Sequence, residues 1–353
     1  MSVSRDFLDR LDLRHPIVQA PMAGTATPQL AAAVSNAGGL GSLGLGASTA
    51  AQARQLIEQT RALTTGAFNV NVFCHAPAQR DPRLEAAWLG YLAPLFAEVD
   101  ALPPTALTEI YPSFLQNEEM FELLLELRPP VVSFHFGLPP KTHIQALRQA
   151  GIYTFATATN VQEAFRIEQA GVDAIVAQGI EAGGHRGVFD PKAEDQRLST
   201  ALLLRMLAPR SGLPLIAAGG IMDGQTIRAM QHLGASAAQL GTAFVLCPES
   251  AADAGYRTHL KGAGASQTCL TSVLSGRPAR GLFNRYITFC EAPGSPMPAA
   301  YPIAFDATKQ LNAAAAALGR YEFSAHWAGQ GAPLAREMPA EQLMAVLVEE
   351  MEK

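Results

Sequence analysis

Ser133 and His135 lie two residues apart in the apolar run Val131-Val132-Ser133-Phe134-His135-Phe136, just before Gly137. Residues two apart share one face of a strand, so in a strand over 131–136 both polar side chains point the same way. Imidazole titrates near neutrality and can serve as acid, base or hydrogen-bond donor, cationic or neutral. A lone histidine on an apolar strand is commonly a satisfied core residue, but a strand tip beside a glycine turn favours chemistry. Phe68-Asn69-Val70-Asn71-Val72-Phe73 repeats the pattern with two amides on one face. Buried amides are costly unless paired. Asn69 and Asn71 therefore either bond to each other and the backbone or meet a polar ligand.

Glycines supply the second chemical signal. They recur in Gln178-Gly179-Ile180-Glu181-Ala182-Gly183-Gly184-His185-Arg186-Gly187, in Ala217-Ala218-Gly219-Gly220, and in Gln239-Leu240-Gly241-Thr242. Glycines at successive strand ends let backbone N–H groups approach an anion closely. Any one Gly-Gly pair is mostly turn geometry, but the set at three consecutive strands points to a phosphorylated ligand. His185 and Arg186 read most simply as a solvated loop pair. His15, His143, His232 and His259 have no evident partner and are assigned no role.

Other chemistries lack their residues. No pair of carboxylates falls at strand tips, as glycosidases and metal hydrolases require, and no GxSxG elbow is present. The four cysteines (Cys74, Cys247, Cys269, Cys290) are far apart and have no metal-ligand spacing; buried small hydrophobes are the expected role, and no metal site is expected. So few catalytic acids suit a cofactor that performs the difficult step while the protein orients it.

These residues need a scaffold that brings strand ends together. Strands are predicted at 16–20, 40–45, 68–73, 131–136, 152–157, 174–178, 214–218 and 237–244. Helices are predicted at 28–36, 49–63, 141–150, 161–170, 199–208 and 225–233. Strand–helix alternation implies a parallel sheet covered on both faces, and eight such units match a (β/α)8 TIM barrel whose working face is the C-terminal strand ends. A doubly wound sheet would carry its glycine fingerprint after the first strand, where this chain has Ala20-Pro21-Met22-Ala23-Gly24. Residues 91–117 read as an insert with a short extra strand at 107–110, and 246–318 as irregular. The expected division is a barrel at 1–247, a cap at 248–318 and a returning C-terminal helix within 319–353.

Of 353 residues, 48% are hydrophobic and 16% charged, with a formal net charge of −5. That balance excludes disorder and argues against a nucleic-acid or polybasic membrane binder. No apolar run approaches a transmembrane span and no secretory signal is evident. A cytoplasmic monomer or homodimer acting on a small molecule is expected.

Taken in order, Gln19-Ala20-Pro21-Met22-Ala23-Gly24, the 68–73 run, His135, the three glycine segments and Trp327-Ala328-Gly329-Gln330-Gly331 resemble the nitronate monooxygenases over nearly the whole chain. The resemblance implies a barrel holding FMN non-covalently and using O2 to oxidise alkyl nitronates, propionate 3-nitronate for example, to a carbonyl compound and nitrite. It implies flavin contacts at Met22, Asn71, Gln178, Gly183, Gly220, Gln239, Leu240, Gly241 and Thr242, and an active-site histidine at His135. It further implies a substrate pocket bordered by Tyr111, Tyr301 and Lys309, with Phe305 one helical turn before Lys309 where relatives carry tyrosine. Alternatives within the superfamily are FMN-dependent enoyl-thioester or quinone reductases, which tend to have Gly-Gly-Met in place of Ala20-Pro21-Met22. A barrel like that of inosine-monophosphate dehydrogenase needs a loop cysteine that 181–196 lacks. A flavin-binding protein without catalysis is the non-enzymatic alternative.

Overall fold

Short runs of apolar and β-branched residues between glycine-rich turns form the strands of this computed structural model, which describes residues 3–353. In chain order they are β1 (Ile17–Gln19), β2 (Gly41–Gly44), β3 (Phe68–Phe73), β4 (Val131–His135), β5 (Tyr153–Ala158), β6 (Ala174–Gln178), β7 (Gly184–His185), β8 (Leu215–Ala218), β9 (Ala237–Leu240), β10 (Thr268–Thr271) and β11 (Ala279–Leu282). Eight of them pair in parallel in the order β1-β9-β8-β6-β5-β4-β3-β2. A parallel bridge between Val18 and Leu40 joins the two ends, with Leu40 N–H donating to Ile17 O and Gln19 N–H to Leu40 O, both at 2.9 Å. The sheet is therefore a nearly closed barrel, the TIM-barrel-like core that the alternation predicts.

Two apolar layers hold it. Outside, strand residues such as Val70, Val132, Phe134 and Ile175 pack on the helices in one large buried cluster. Inside, Val18, Val131, Phe155, Val176 and Ile216 form a plug with Phe7 and Leu11. These last two come from the helix Val3–Leu11, which closes the end opposite the strand tips. Helix starts are set locally: Thr27 accepts from Leu30 N–H ahead of Pro28, and Thr49 with Gln52 forms a capping box.

The eighth barrel helix comes from the far end of the chain. Ala340–Glu352 packs against the helices Gly224–His232 and Pro28–Asn36, the place a helix directly following β9 would take. The intervening residues lie over the strand tips. They contain the helices Ala254–Lys261, Arg285–Cys290 and Ile303–Ala317, and the strands β10 and β11, which pair antiparallel, β11 also pairing antiparallel with β7 from the loop after β6. Ile303–Ala317 also packs on Pro82–Ala97, burying Trp88, Leu92, Ala307 and Leu311 in a separate core.

Four sequence expectations change. The last barrel strand stops at Leu240, and Thr242–Val245 is a helical turn, because Gly241 breaks a run whose apolar pattern continues past it. No strand forms at 107–110; Leu107 is instead an anchor in the separate core beneath Ile303–Ala317. The stretch from 91 begins inside Pro82–Ala97, where Asp81 caps the helix and Pro82 occupies its first turn. The region 246–318 is not irregular: it is ordered by packing on distant parts of the chain, which local sequence does not display. No helix among the described residues is long and apolar enough to cross a membrane.

Candidate active site

The barrel's pairing register places the polar residues. Asn71 lies opposite Ser133, and Phe73 opposite His135, across β3 and β4. Asn71 donates through Nδ2 to Ser133 Oγ at 2.9 Å and Ser133 O at 3.1 Å, which turns its amide towards a cavity of about 450 Å3 above the barrel. Asn69 lies deeper, donating to Ser42 Oγ at 3.2 Å, and does not line the cavity. Met22, Asn71, His135, Gln178, Gly183, Gly220, Gln239, Gly241 and Thr242 all line this one space, with Tyr111, Tyr301 and Lys309 from the insert and cap. Leu240 does not; its side chain is buried in the outer apolar cluster.

One end of the cavity is backbone. Gly219 and Gly220 have φ of +131° and +71°, which only glycine adopts without strain, and they turn the chain away from β8. Among the described residues the amides of Gly183, Gly220 and Gly241 find no backbone acceptor, and the turn beginning at Thr242 has no side-chain cap. This cradle is braced from outside. Glu181 accepts from Thr200 N–H and Oγ–H, both at 3.0 Å to Oε2. Thr242 Oγ1 accepts from Gly329 N–H at 3.0 Å, and Arg336 bonds Met222 O at 2.9 Å while paired with Glu350. Unengaged amides at residues that line one cavity suit a phosphate, such as that of FMN.

His135 occupies the other end. Its Nε2 is 3.2 Å from His185 O and its Nδ1 3.0 Å from Thr157 Oγ1. Burial lowers its pKa to about 4; the bond to His185 O opposes this, while the charges of Arg277 and Arg186 add to it. Near neutral pH the imidazole is uncharged, so of the roles open to it in the sequence, the cationic one is disfavoured. His185 is pushed down to about 3 by burial, then by His135, Arg277 and His75. His75, edge-on to Tyr301 with ring centroids 5.0 Å apart, is lowered to about 4 by burial and then Arg277.

Arg186 is not solvated. It is 1% exposed, forms a two-pronged pair with Asp195 at 2.8 and 2.9 Å, and donates to Gln178 O and Gly179 O. Gln178 Oε1 accepts from Gly187 N–H at 2.8 Å, and its Nε2 donates to His185 O at 3.0 Å. The loop is thus folded back and locked by its own polar groups. Arg277, also buried, bonds Val188 O and stacks 4.2 Å from the ring centre of Phe136, with no carboxylate partner among the described residues. Phe136 itself has φ of +73°, a strained conformation for a bulky residue, held by packing against His135, Phe73 and Tyr301.

A profile of the family described as Nitronate monooxygenase matches residues 5–350. The chain is 56% identical over 345 residues to the nitronate monooxygenase of Pseudomonas aeruginosa, covering 98% of each. The chain belongs to the nitronate monooxygenase family. Members of this family are FMN-dependent oxidoreductases. Among solved structures, the nitroalkane oxidase from Streptomyces ansochromogenes superposes with a TM-score of 0.90 at 40% identity, covering 99% of this chain and 98% of that one. FabK from Thermotoga maritima is more distant, with a TM-score of 0.74, 29% identity, and 99% and 96% coverage.

Four residues beside the family's motif positions escape sequence reasoning: His75, Thr157, His185 and Arg277. His185 stands in one of the glycine segments, yet only the fold reveals its enclosure by Phe136, Tyr301 and Trp327. Arg277 lies in Gly276-Arg277-Pro278-Ala279-Arg280-Gly281, whose distance along the chain from Phe136 hides their stacking. Thr157 could have been found, since it ends a predicted strand next to that of His135.

Proposed function

We propose that this protein binds FMN at the strand-tip cradle and uses O2 to oxidise alkyl nitronates to a carbonyl compound and nitrite. The sign of the charge around the inner cavity supports this most directly. Lys309 stands at its edge, donating to Tyr111 Oη at 3.2 Å, and the unpaired Arg277 lies behind Phe136. Among the lining residues the one carboxylate is Asp253, half exposed at the rim. Such a site favours an anion, and a nitronate is the anionic form of a nitroalkane.

The bound FMN would accept electrons from the substrate and pass them to dioxygen. Gly183, Gly220, Gly241 and Thr242 would hold its phosphate through their amides, and Met22, Asn71, Gln178 and Gln239 would border the rest. Leu240 would contribute only its backbone. Tyr301 Oη is buried without a partner among the described residues, and burial raises its pKa, so it keeps its proton and is a donor for a nitronate oxygen. Tyr111 accepts from Lys309 and has its own proton free for the second oxygen. Phe305, packed 6.0 Å from Tyr111, makes this pocket less polar than one with tyrosine there. His135 is the base available to a neutral nitroalkane, whereas a nitronate needs none.

The test is nitrite release from ethylnitronate under air by the holoenzyme. Turnover with nitrite formed is the expected result. Failure to form nitrite from any alkyl nitronate, with flavin bound, would refute the reading.

A further inference from the structure

The two hydrogen bonds of His135 define which nitrogen can receive a proton. His185 O only accepts, so Nε2 at 3.2 Å carries the hydrogen. That carbonyl is itself fixed, since it also accepts from Gln178 Nε2 at 3.0 Å, and the Gln178 amide is oriented by Gly187 N–H and Arg186 on its oxygen. Nδ1 is then the lone-pair nitrogen. Thr157 Oγ1, 3.0 Å away, must be its donor. The ring is also confined: a Cβ at Gly187 would lie 2.6 Å from Thr157 Cγ2 and 3.0 Å from His135 Cε1. Both His135 and Thr157 line the cavity.

Resting on the nitronate reading above, we propose that the Thr157 hydroxyl caps the one proton-accepting nitrogen of His135, and so biases this site towards anionic nitronates and away from neutral nitroalkanes. Deprotonating a nitroalkane breaks its α C–H bond. The electron pair stays on the carbon–nitro unit, giving the nitronate, and the proton goes to Nδ1. That step requires the Thr157 hydroxyl to give up its bond first. A nitronate arrives already deprotonated and leaves the cap in place. Thr157 is thus a positioning residue that acts through His135. The groups facing the imidazole are His185 and Arg186 from the loop after β6, Arg277 from the cap, and the rings of Phe73 and Phe136.

The test compares wild type with Thr157→Val, which keeps the shape but removes the donor, and with Thr157→Ser, which restores a hydroxyl. The ratio of kcat/KM for nitroethane to that for ethylnitronate should rise about tenfold in Thr157→Val, the equivalent of one ordinary hydrogen bond. It should stay near the wild-type ratio in Thr157→Ser, with flavin content confirming the fold. An unchanged or lower ratio in Thr157→Val would overturn the proposal; a collapse of nitroethane turnover would make Thr157 a proton relay instead. Selective 15N-histidine NMR of the holoenzyme provides a readout independent of substrate. The wild type should show His135 as the Nε2–H tautomer, with a titration midpoint that moves up in Thr157→Val, because a donor to the neutral ring disfavours protonation. An Nδ1–H tautomer in the wild type, or no movement in the variant, would overturn it. If neither substrate is oxidised, the nitronate reading fails, yet the histidine spectra still decide whether Nδ1 is capped.

Discussion

Acidification from pH 7 to pH 5 should cost this protein much of its stability, through histidines that are buried uncharged. His75, His135 and His326 have pKa values lowered to about 4, and His185 to about 3, burial being the largest cause in each. In the unfolded chain each returns to the ordinary value of about 6.5. Between those values the unfolded state binds a proton that the folded state does not, so stability falls as pH falls below about 6.5, and the loss levels off below the folded values. From pH 7 to pH 5 each imidazole contributes a loss of about 1.8 kcal/mol. Four contribute about 7 kcal/mol, comparable with the whole stability of an ordinary domain. The assay is urea unfolding of the flavin-loaded protein, at fixed FMN, every half pH unit from 7.5 to 5. The slope near pH 5.5 should correspond to about three to four protons, and His326→Gln should reduce it by about one. A free energy independent of pH over this range, or a slope below one proton, would refute the neutral-imidazole account of the site.

Three further outcomes follow from the same geometry. His135→Asn should lower nitroethane turnover by orders of magnitude but ethylnitronate turnover by no more than about 1.5–3 kcal/mol in kcat/KM; equal losses on both, with flavin content unchanged, would remove the base role. Tyr301→Phe deletes a donor aimed at an anion and should reduce kcat/KM for ethylnitronate by about tenfold or more, measured by oxygen uptake; wild-type kinetics would free Tyr301 of that role. Heat-denatured protein should release FMN and not FAD on chromatography, because the strand tips offer one phosphate cradle and no GxGxxG follows a strand to open a helix; the match at Gly39–Gly44 contains β2 itself.

Much of the barrel was legible because its strands are buried on both faces. The runs 68–73 and 174–178 coincide with β3 and β6, where the period of two and the flanking turns leave little choice. The polar tips were legible for the same reason: Ser133 and Asn71 fall on the inner face by alternation alone. The order within 246–318 was not, since helix Ile303–Ala317 owes its place to Trp88 and Leu92 some two hundred residues earlier. Arg186 shows the limit from the other side. A charged residue in a glycine loop reads as solvated, and only the contacts with Asp195 and Gln178 reveal why it can be buried. Composition gave no warning of Phe136, whose strained backbone is compensated by a ring of aromatic contacts and a guanidinium brought in from the cap.

The most direct test of nitronate oxidation is anaerobic mixing of the holoenzyme with ethylnitronate, and separately with NADH or NADPH, while the flavin absorbance is followed. The cavity's positive surroundings and the lack of a GxGxxG between a strand and a helix predict a flavin spectral change with the nitronate at the rate of turnover, and none on that timescale with either nicotinamide. Rapid bleaching by NADH or NADPH with no response to the nitronate would contradict the account and identify the protein as a reductase.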